Sequence, residues 1–281
     1  MQRSVTHTSL GFRTQDGAGV SLVRVLSNQT AKVFDPILML DSFDSTDPSD
    51  YRAGFPMHPH RGIETISLLV RGNMVHRDSL NNEDAISDGE VQWMTAGSGI
   101  LHEEMLPDSE RMLGVQLWLN LSADNKMVSP DYHALRKDDI KSYEFDGGYL
   151  RVISGSYKGV VGFTPQYNPL RYYEIHLKAG QSIEIEDEED RSVMAFTLLG
   201  DALVAGEEIA EKSAVKLGEG TSTHFQAKDA DETIILYLSA KPLDEPIAWG
   251  GPIVMNTQDE LQNAFKELQI GKFIKEEMSI N

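Results

Sequence analysis

Between Leu113 and Leu121 the chain alternates strictly. Leu113, Val115, Leu117, Leu119 and Leu121 are separated by Gly114, Gln116, Trp118 and Asn120. Successive side chains of an extended strand point to opposite faces, so a period of two marks β structure and excludes a helix here. Shorter runs of the same character recur at residues 63–70, 74–78, 91–94 and 100–104, punctuated by Gly72-Asn73, Gly89 and Gly97-Ser98-Gly99. Strands at this spacing predict an antiparallel sandwich or barrel, and Gly72-Asn73 predicts a tight turn from which 74–78 returns antiparallel to 63–70. The one helical pattern lies at the far end. Thr257-Gln258-Asp259-Glu260 forms a capping box, Leu261, Ala264, Phe265 and Leu268 follow on one face, and Gly271 is a stop. Such a helix is expected to lay its apolar stripe on a barrel.

The second half echoes the first. Leu198-Leu199-Gly200-Asp201-Ala202-Leu203-Val204 matches residues 69–75, turn glycine on turn glycine, and Gly218-Glu219-Gly220 matches Gly97-Ser98-Gly99 in the same order. The pattern predicts a duplicated barrel whose boundary falls in the polar stretch 129–146, with domains at 1–135 and 145–281, the second carrying the helix.

Composition narrows the function classes. With 44 Asp+Glu against 25 Lys+Arg the formal charge is −19, and an acidic surface of this kind opposes phosphate and argues against direct nucleic-acid contact. The absence of cysteine excludes disulfides, thiol nucleophiles and thiolate metal sites, and fits a reducing compartment. No signal peptide or membrane-spanning run of apolar residues is visible, so a cytoplasmic protein without membrane attachment is expected.

The chemistry concentrates in the first half. His58 and His60 flank Pro59 at i, i+2, and His102 and Glu104 repeat that spacing, so each pair projects from one face of a strand. Two such pairs on neighbouring strands would converge as a mixed nitrogen and oxygen site for a divalent first-row metal, with positions left open for water or substrate. On spacing alone Glu64, also in line with His58 and His60, competes with Glu104 as the oxygen ligand. His76, on the strand after the first turn, could stand behind the ligands, as could Glu64 if it is not one of them, and Trp93, Trp118 and Met94 could line a cavity. His176 and His224 read as isolated surface or hydrogen-bonded residues, no role is expected of His7 or His133, and the acidic run 184–190 reads as a solvated segment before it reads as a cation site.

The stretch Phe55-Pro56-Met57-His58-Pro59-His60-Arg61-Gly62-Ile63-Glu64-Thr65, followed by Gln92-Trp93-Met94-Thr95-Ala96-Gly97-Ser98-Gly99-Ile100-Leu101-His102-Glu103-Glu104-Met105, resembles the signature of the pirins, two-domain members of the cupin superfamily. The likeness extends through Gln116-Leu117-Trp118-Leu119-Asn120-Leu121, Val152-Ile153-Ser154-Gly155, Leu217-Gly218-Glu219-Gly220 and residues 251–257, nearly the whole chain. It implies an all-β fold of two cupin barrels (double-stranded β-helix, or jelly-roll) with a short C-terminal helix. It also implies a metal held in the first barrel by His58, His60, His102 and Glu104, Glu104 being preferred over the Glu64 of the general cupin pattern.

The resemblance implies no metal in the second barrel. The repeat offsets place Glu186 and Glu188 where the first barrel has His58 and His60, and Thr223 and Phe225 where it has His102 and Glu104. The activity implied is that of pirin-like quercetin 2,3-dioxygenases, which open a flavonol ring with O2 and release carbon monoxide, with Glu104 as the catalytic carboxylate. The metal expected is one divalent transition ion, Fe(II) first, with Ni, Mn, Co, Cu or Zn as alternatives. The other role the family suggests is a metal- or redox-sensing regulator that binds a protein partner.

Overall fold

The alternating runs form strands because both faces of each can be buried once two sheets are stacked. The computed structural model describes residues 1–228 and 231–276. Its first half contains β1 (Val5–Leu10), β2 (Phe12–Asp16), β3 (Val20–Leu26), β4 (Ile37–Ser45), β5 (Phe55–His60), β6 (Ile63–Arg71), β7 (Met74–Asp78), β8 (Glu83–Ile86), β9 (Glu90–Thr95), β10 (Ile100–Met105), β11 (Met112–Asn120) and β12 (Asp131–Leu135). The second half contains β13 (Lys141–Phe145), β14 (Gly148–Ser154), β15 (Ser156–Tyr157), β16 (Val160–Val161), β17 (Arg171–Lys178), β18 (Ser182–Glu186), β19 (Ser192–Leu199), β20 (Ala202–Val204), β21 (Glu207–Ile209), β22 (Ser213–Leu217), β23 (Ser222–Ala227) and β24 (Glu232–Ala240). A two-stranded ribbon, β25 (Ala248–Gly250) and β26 (Ile253–Met255), precedes the helix α1 (Gln258–Gln269).

The first barrel is a seven-stranded sheet in the order β12-β9-β6-β11-β4-β3-β2 with a four-stranded sheet β5-β10-β7-β8. The second repeats the plan as β1-β22-β19-β24-β17-β14-β13 with β18-β23-β20-β21. Strand for strand, β6 corresponds to β19, β9 to β22, β11 to β24 and β10 to β23, so the duplication read from the glycine echoes is a duplication of topology. Even an ion pair is repeated: Arg24 on β3 grips Asp41 on β4, and Arg151 on β14 grips Glu174 on β17.

Two sequence expectations are revised. The turn at Gly72-Asn73 joins β6 to β7, but the two do not pair: β6 lies between β9 and β11 in the large sheet, and β7 lies between β10 and β8 in the small one. A tight turn shows that the chain changes direction, whereas burial of both faces decides which sheet it enters. The compact units divide between Lys137 and Asp138, inside the polar stretch 129–146, which also holds β12 and β13, the outermost strands of the two large sheets.

The contiguous division at 1–135 and 145–281 also gives way. One compact unit comprises Met1–Phe12, Val25–Pro36 and Asp138–Pro242, and the other comprises Arg13–Arg24, Ile37–Lys137 and the chain from Leu243 onward. Strand β1 pairs with β22 of the second barrel, Thr8 opposite Val215. The helix belongs to the first barrel's unit. It is capped as expected, Glu260 N donating to Thr257 Oγ1 at 3.2 Å and Thr257 N to Glu260 Oε2 at 2.8 Å. Leu261 and Ala264 pack with Ala248, Ile253, Met255 and Phe273.

Within the first barrel an apolar core of Val20, Leu22, Phe43, Leu69, Met74 and Met112 fills one region. The polar residues of β5, β9, β10 and β11 occupy another.

Candidate metal centre

Strand β5 runs antiparallel to β10 with His58 directly opposite His102 and His60 opposite Ile100. Directly opposed residues on one face of a sheet lie within side-chain reach of each other. The three imidazoles converge: His58 Nε2 is 3.0 Å from His60 Nε2 and 3.0 Å from His102 Nε2. All three ligand atoms lie within 4.8 Å of one another, a grouping among the described residues that Glu104 does not join.

The far nitrogen of each ring is tied down. His58 Nδ1 donates to the Pro56 carbonyl at 2.9 Å, and His60 Nδ1 to the Pro252 carbonyl at 3.1 Å. Behind His102, the buried His76 donates from Nε2 to Asp78 Oδ2 at 2.9 Å. His76 Nδ1 is then free to accept from His102 Nδ1, 3.4 Å away. With Nδ1 of His58, His60 and His102 serving as the donor, Nε2 of each of these three rings presents a bare lone pair to its neighbours. Burial and the neighbouring imidazoles lower the pKa of His60 to about 3 and move that of His102 well below the usual histidine value. Burial thus favours the neutral form of His60 and His102, the state in which imidazole binds a metal.

Lone pairs facing one another at 3.0 Å, His58 with His60 and His58 with His102, repel unless a cation lies between them. Neighbouring nitrogens on an octahedral ion with bonds of about 2.1 Å sit about 3 Å apart, so the donor set fits a divalent transition ion.

Glu104 projects from the same face of β10 as His102 and is fully buried. Gln92 Nε2 donates to its Oε1 at 2.7 Å and Gln116 Nε2 to its Oε2 at 2.8 Å. Two neutral donors hold a carboxylate in an interior that would otherwise penalise it. Neither glutamine was singled out from the sequence. The signal was present in the alternation of β11, where Gln116 and Trp118 face the barrel interior while the leucines face away, both sets being buried.

Glu64, considered as the competing ligand and then as a residue behind the metal, is elsewhere. It has the opposite parity to Ser67, whose hydroxyl meets Gln116 inside the barrel, so it lies on the outer face of the large sheet. There Trp93 Nε1 donates to its Oε1 at 3.1 Å and Thr95 Oγ1 at 2.9 Å. Burial pushes its pKa up to about 7. Trp93 therefore faces away from the barrel interior, towards which Met94 and Trp118 point; the Trp118 ring meets that of His60 edge to face at 5.0 Å. His76 does stand behind His102, stacked on Tyr132 at 4.5 Å.

The second barrel has no such cluster among its described residues. Register corrects the constant-offset mapping by one residue. Ile185, not Glu186, lies opposite Thr223, and the backbone N–H of Asp187, not of Glu188, bonds to Thr221. Extra residues between β18 and β19 cause the slip. The acidic run holds arginines: Asp187 is bound by Arg171, Arg191 and the Tyr237 hydroxyl, and Glu188 by Arg171. A cavity of about 860 Å³ at that end has no imidazole in its wall. His176 bridges Glu174 and Glu232 at 2.8 Å each.

Residues 19–119 match the Pirin family and residues 172–274 the Pirin C-terminal cupin domain. The chain is 40% identical over 280 residues to a pirin-like protein of Caulobacter vibrioides, covering 96% of this chain and 99% of that one. This chain belongs to the pirin family. Human pirin is 33% identical over 275 residues, covering 96% of this chain and 93% of its own. A crystal structure of a quercetin 2,3-dioxygenase from Acinetobacter baumannii superposes with a TM-score of 0.89 at 30% identity, over 97% of this chain and 99% of that one. The pirin fold is thus shared along essentially the whole length. Among the described residues no helix is long and apolar enough to cross a membrane.

Proposed function

We propose that this pirin is a metal-dependent dioxygenase that opens the ring of flavonol-like substrates with O2. The observation that carries the reading is the set of three bare imidazole nitrogens in a barrel whose neighbouring carboxylate, Glu104, is held by two glutamine amides. His58, His60, His102 and Glu104 would hold one divalent transition ion, Fe(II) first among the candidates. When bound, that ion supplies Lewis acidity for an incoming hydroxyl and the redox chemistry that O2 requires.

The protein's own part is positioning and proton handling. The Pro56 and Pro252 carbonyls and the His76–Asp78 pair fix the three rings so that their Nε2 atoms face one point. Glu104 receives the proton of the substrate's hydroxyl, and Gln92 and Gln116 keep its carboxylate directed inward while it does so. Trp118 and Met94 line the interior and keep water from an electron-rich anion. The name carried by the Acinetobacter baumannii relative supports this substrate class.

The test is to load the protein with Fe(II), and separately with Ni, Mn and Co, and supply quercetin under O2. Loss of flavonol absorbance with release of carbon monoxide is the expected result. Stoichiometric metal with no turnover for any redox-active ion would overturn the enzyme reading in favour of a metal-sensing regulator that acts through a protein partner.

A further inference from the structure

Two of the three histidine anchors are local or nearly so, but the acceptor for His60 Nδ1 is the carbonyl of Pro252, 192 residues further along the chain. Next to that contact stands Arg61, the residue after His60, whose backbone pairs with Ile253 and Val254. Its side chain is 2% exposed and reaches three separate segments. Nε donates to the Ser98 carbonyl at 2.6 Å, Nη1 to Glu267 Oε2 on α1 at 2.8 Å, and Nη2 to the Phe273 carbonyl at 2.7 Å. The guanidinium also lies 4.2 Å from the centre of the Phe273 ring.

The backbones interlock as well. Val254 N donates to the Arg61 carbonyl at 3.1 Å, and a Cβ at Gly62, where φ is +78°, would stand 2.0 Å from the Val254 carbonyl oxygen. A Cβ at Gly99 would stand 2.9 Å from the Phe273 carbonyl oxygen. Trp249, hydrogen-bonded to the Gly251 carbonyl, sets its ring 5.8 Å from that of Trp118.

We propose that the segment from β25 to Phe273 is a working part of the metal centre and that Arg61 is its positioning residue. By clamping this segment, Arg61 keeps the Pro252 carbonyl against His60 Nδ1 and so holds His60 in the tautomer whose Nε2 faces the other two imidazoles. Metal affinity in the first barrel is then set by the C-terminal ribbon and helix. A lysine could supply the charge but not the planar fork that meets three acceptors at once. The proposal rests on the metal reading above but not on the dioxygenase chemistry.

The test uses the full chain and cobalt(II), titrated against a competing chelator, with the His60 tautomer read from nitrogen-15 imidazole spectra of the metal-free protein. Removing groups that orient metal-bound histidines weakens affinity by about 10- to 100-fold, and that loss is expected of Arg61→Gln, together with appearance of the Nε2–H form of His60. Arg151→Gln, which breaks the Glu174 ion pair in the second barrel, should lower the melting temperature and leave cobalt affinity within about twofold. Should Arg61→Gln fail to fold, Glu267→Ala combined with Phe273→Ala removes the ion pair and the ring contact of the clamp and should weaken cobalt by about fivefold to tenfold. The inference is overturned if the clamp variants bind cobalt as tightly as the parent, or if Arg151→Gln loses as much. Failure of the parent itself to bind cobalt, Fe(II) or nickel would instead sink the metal reading and this inference with it.

Discussion

Glu64 offers the sharpest test of the site assignment, because replacing it should change stability and leave the metal alone. Its carboxyl is buried on the outer face of the large sheet, with Oε1 receiving Trp93 and Thr95 and Oε2 receiving no hydrogen bond. Burial raises its pKa from 4.5 to about 7. The folded state therefore retains a proton that the unfolded chain releases between those values. Stability is full below pH 4.5 and falls as pH rises towards 7. At about 1.4 kcal/mol per pKa unit, ionising this group costs about 3 kcal/mol above pH 7. Glu64→Gln substitutes a neutral side chain of the same shape. The variant should match the parent near pH 4.5 and exceed it by about 3 kcal/mol at pH 8, roughly 6 to 12 °C in melting temperature for a chain of this size. Thermal melts of the metal-free proteins across pH 4.5 to 8.5 measure this, and cobalt titration of the same samples should give equal affinities. A stability difference that does not change with pH would refute the buried-carboxyl reasoning, and loss of metal in Glu64→Gln would return Glu64 to the ligand set.

Glu104→Gln should retain the fold while turnover of quercetin by the iron-loaded protein falls by at least about 100-fold, as expected for loss of a general base. His102→Ala should bind cobalt at least about 100-fold more weakly than the parent, measured against a chelator, since it removes a ligand and not merely an orienting group. Asp78→Asn, which loosens His76 behind His102, should weaken cobalt by about 10-fold without changing the circular dichroism of the metal-free protein. In the second barrel, Asp187→Asn leaves Arg171 and Arg191 without their buried carboxylate and should cost about 3 kcal/mol in urea unfolding, with cobalt affinity unchanged.

The choice between Glu64 and Glu104 shows where reading along the chain stops working. Glu64 stands at even spacing from His58 and His60, which would place it in line only if one strand continued. Gly62, at a φ of +78°, ends β5, and β6 begins in the other sheet, so the alternation restarts. His102 and Glu104 lie within the single strand β10, where a period of two holds. The same limit explains Gln92 and Gln116, whose common partner is visible only once the two sheets face each other, and the Glu186 mapping, which a longer loop moved by one residue.

Taken alone, the amino-acid order settled what depends on neighbours a few residues apart: the strands, the capped helix, the glycine turns, the doubled plan, and three histidines able to share one face. Tertiary structure alone decided which sheet each strand joined, that β1 belongs with the second barrel and α1 with the first, and that a carbonyl near the C-terminus orients His60. The physical reason is range. Alternation and capping are governed by local backbone geometry, whereas a barrel closes by hydrogen bonds and burial between segments whose separation along the chain leaves no periodic trace.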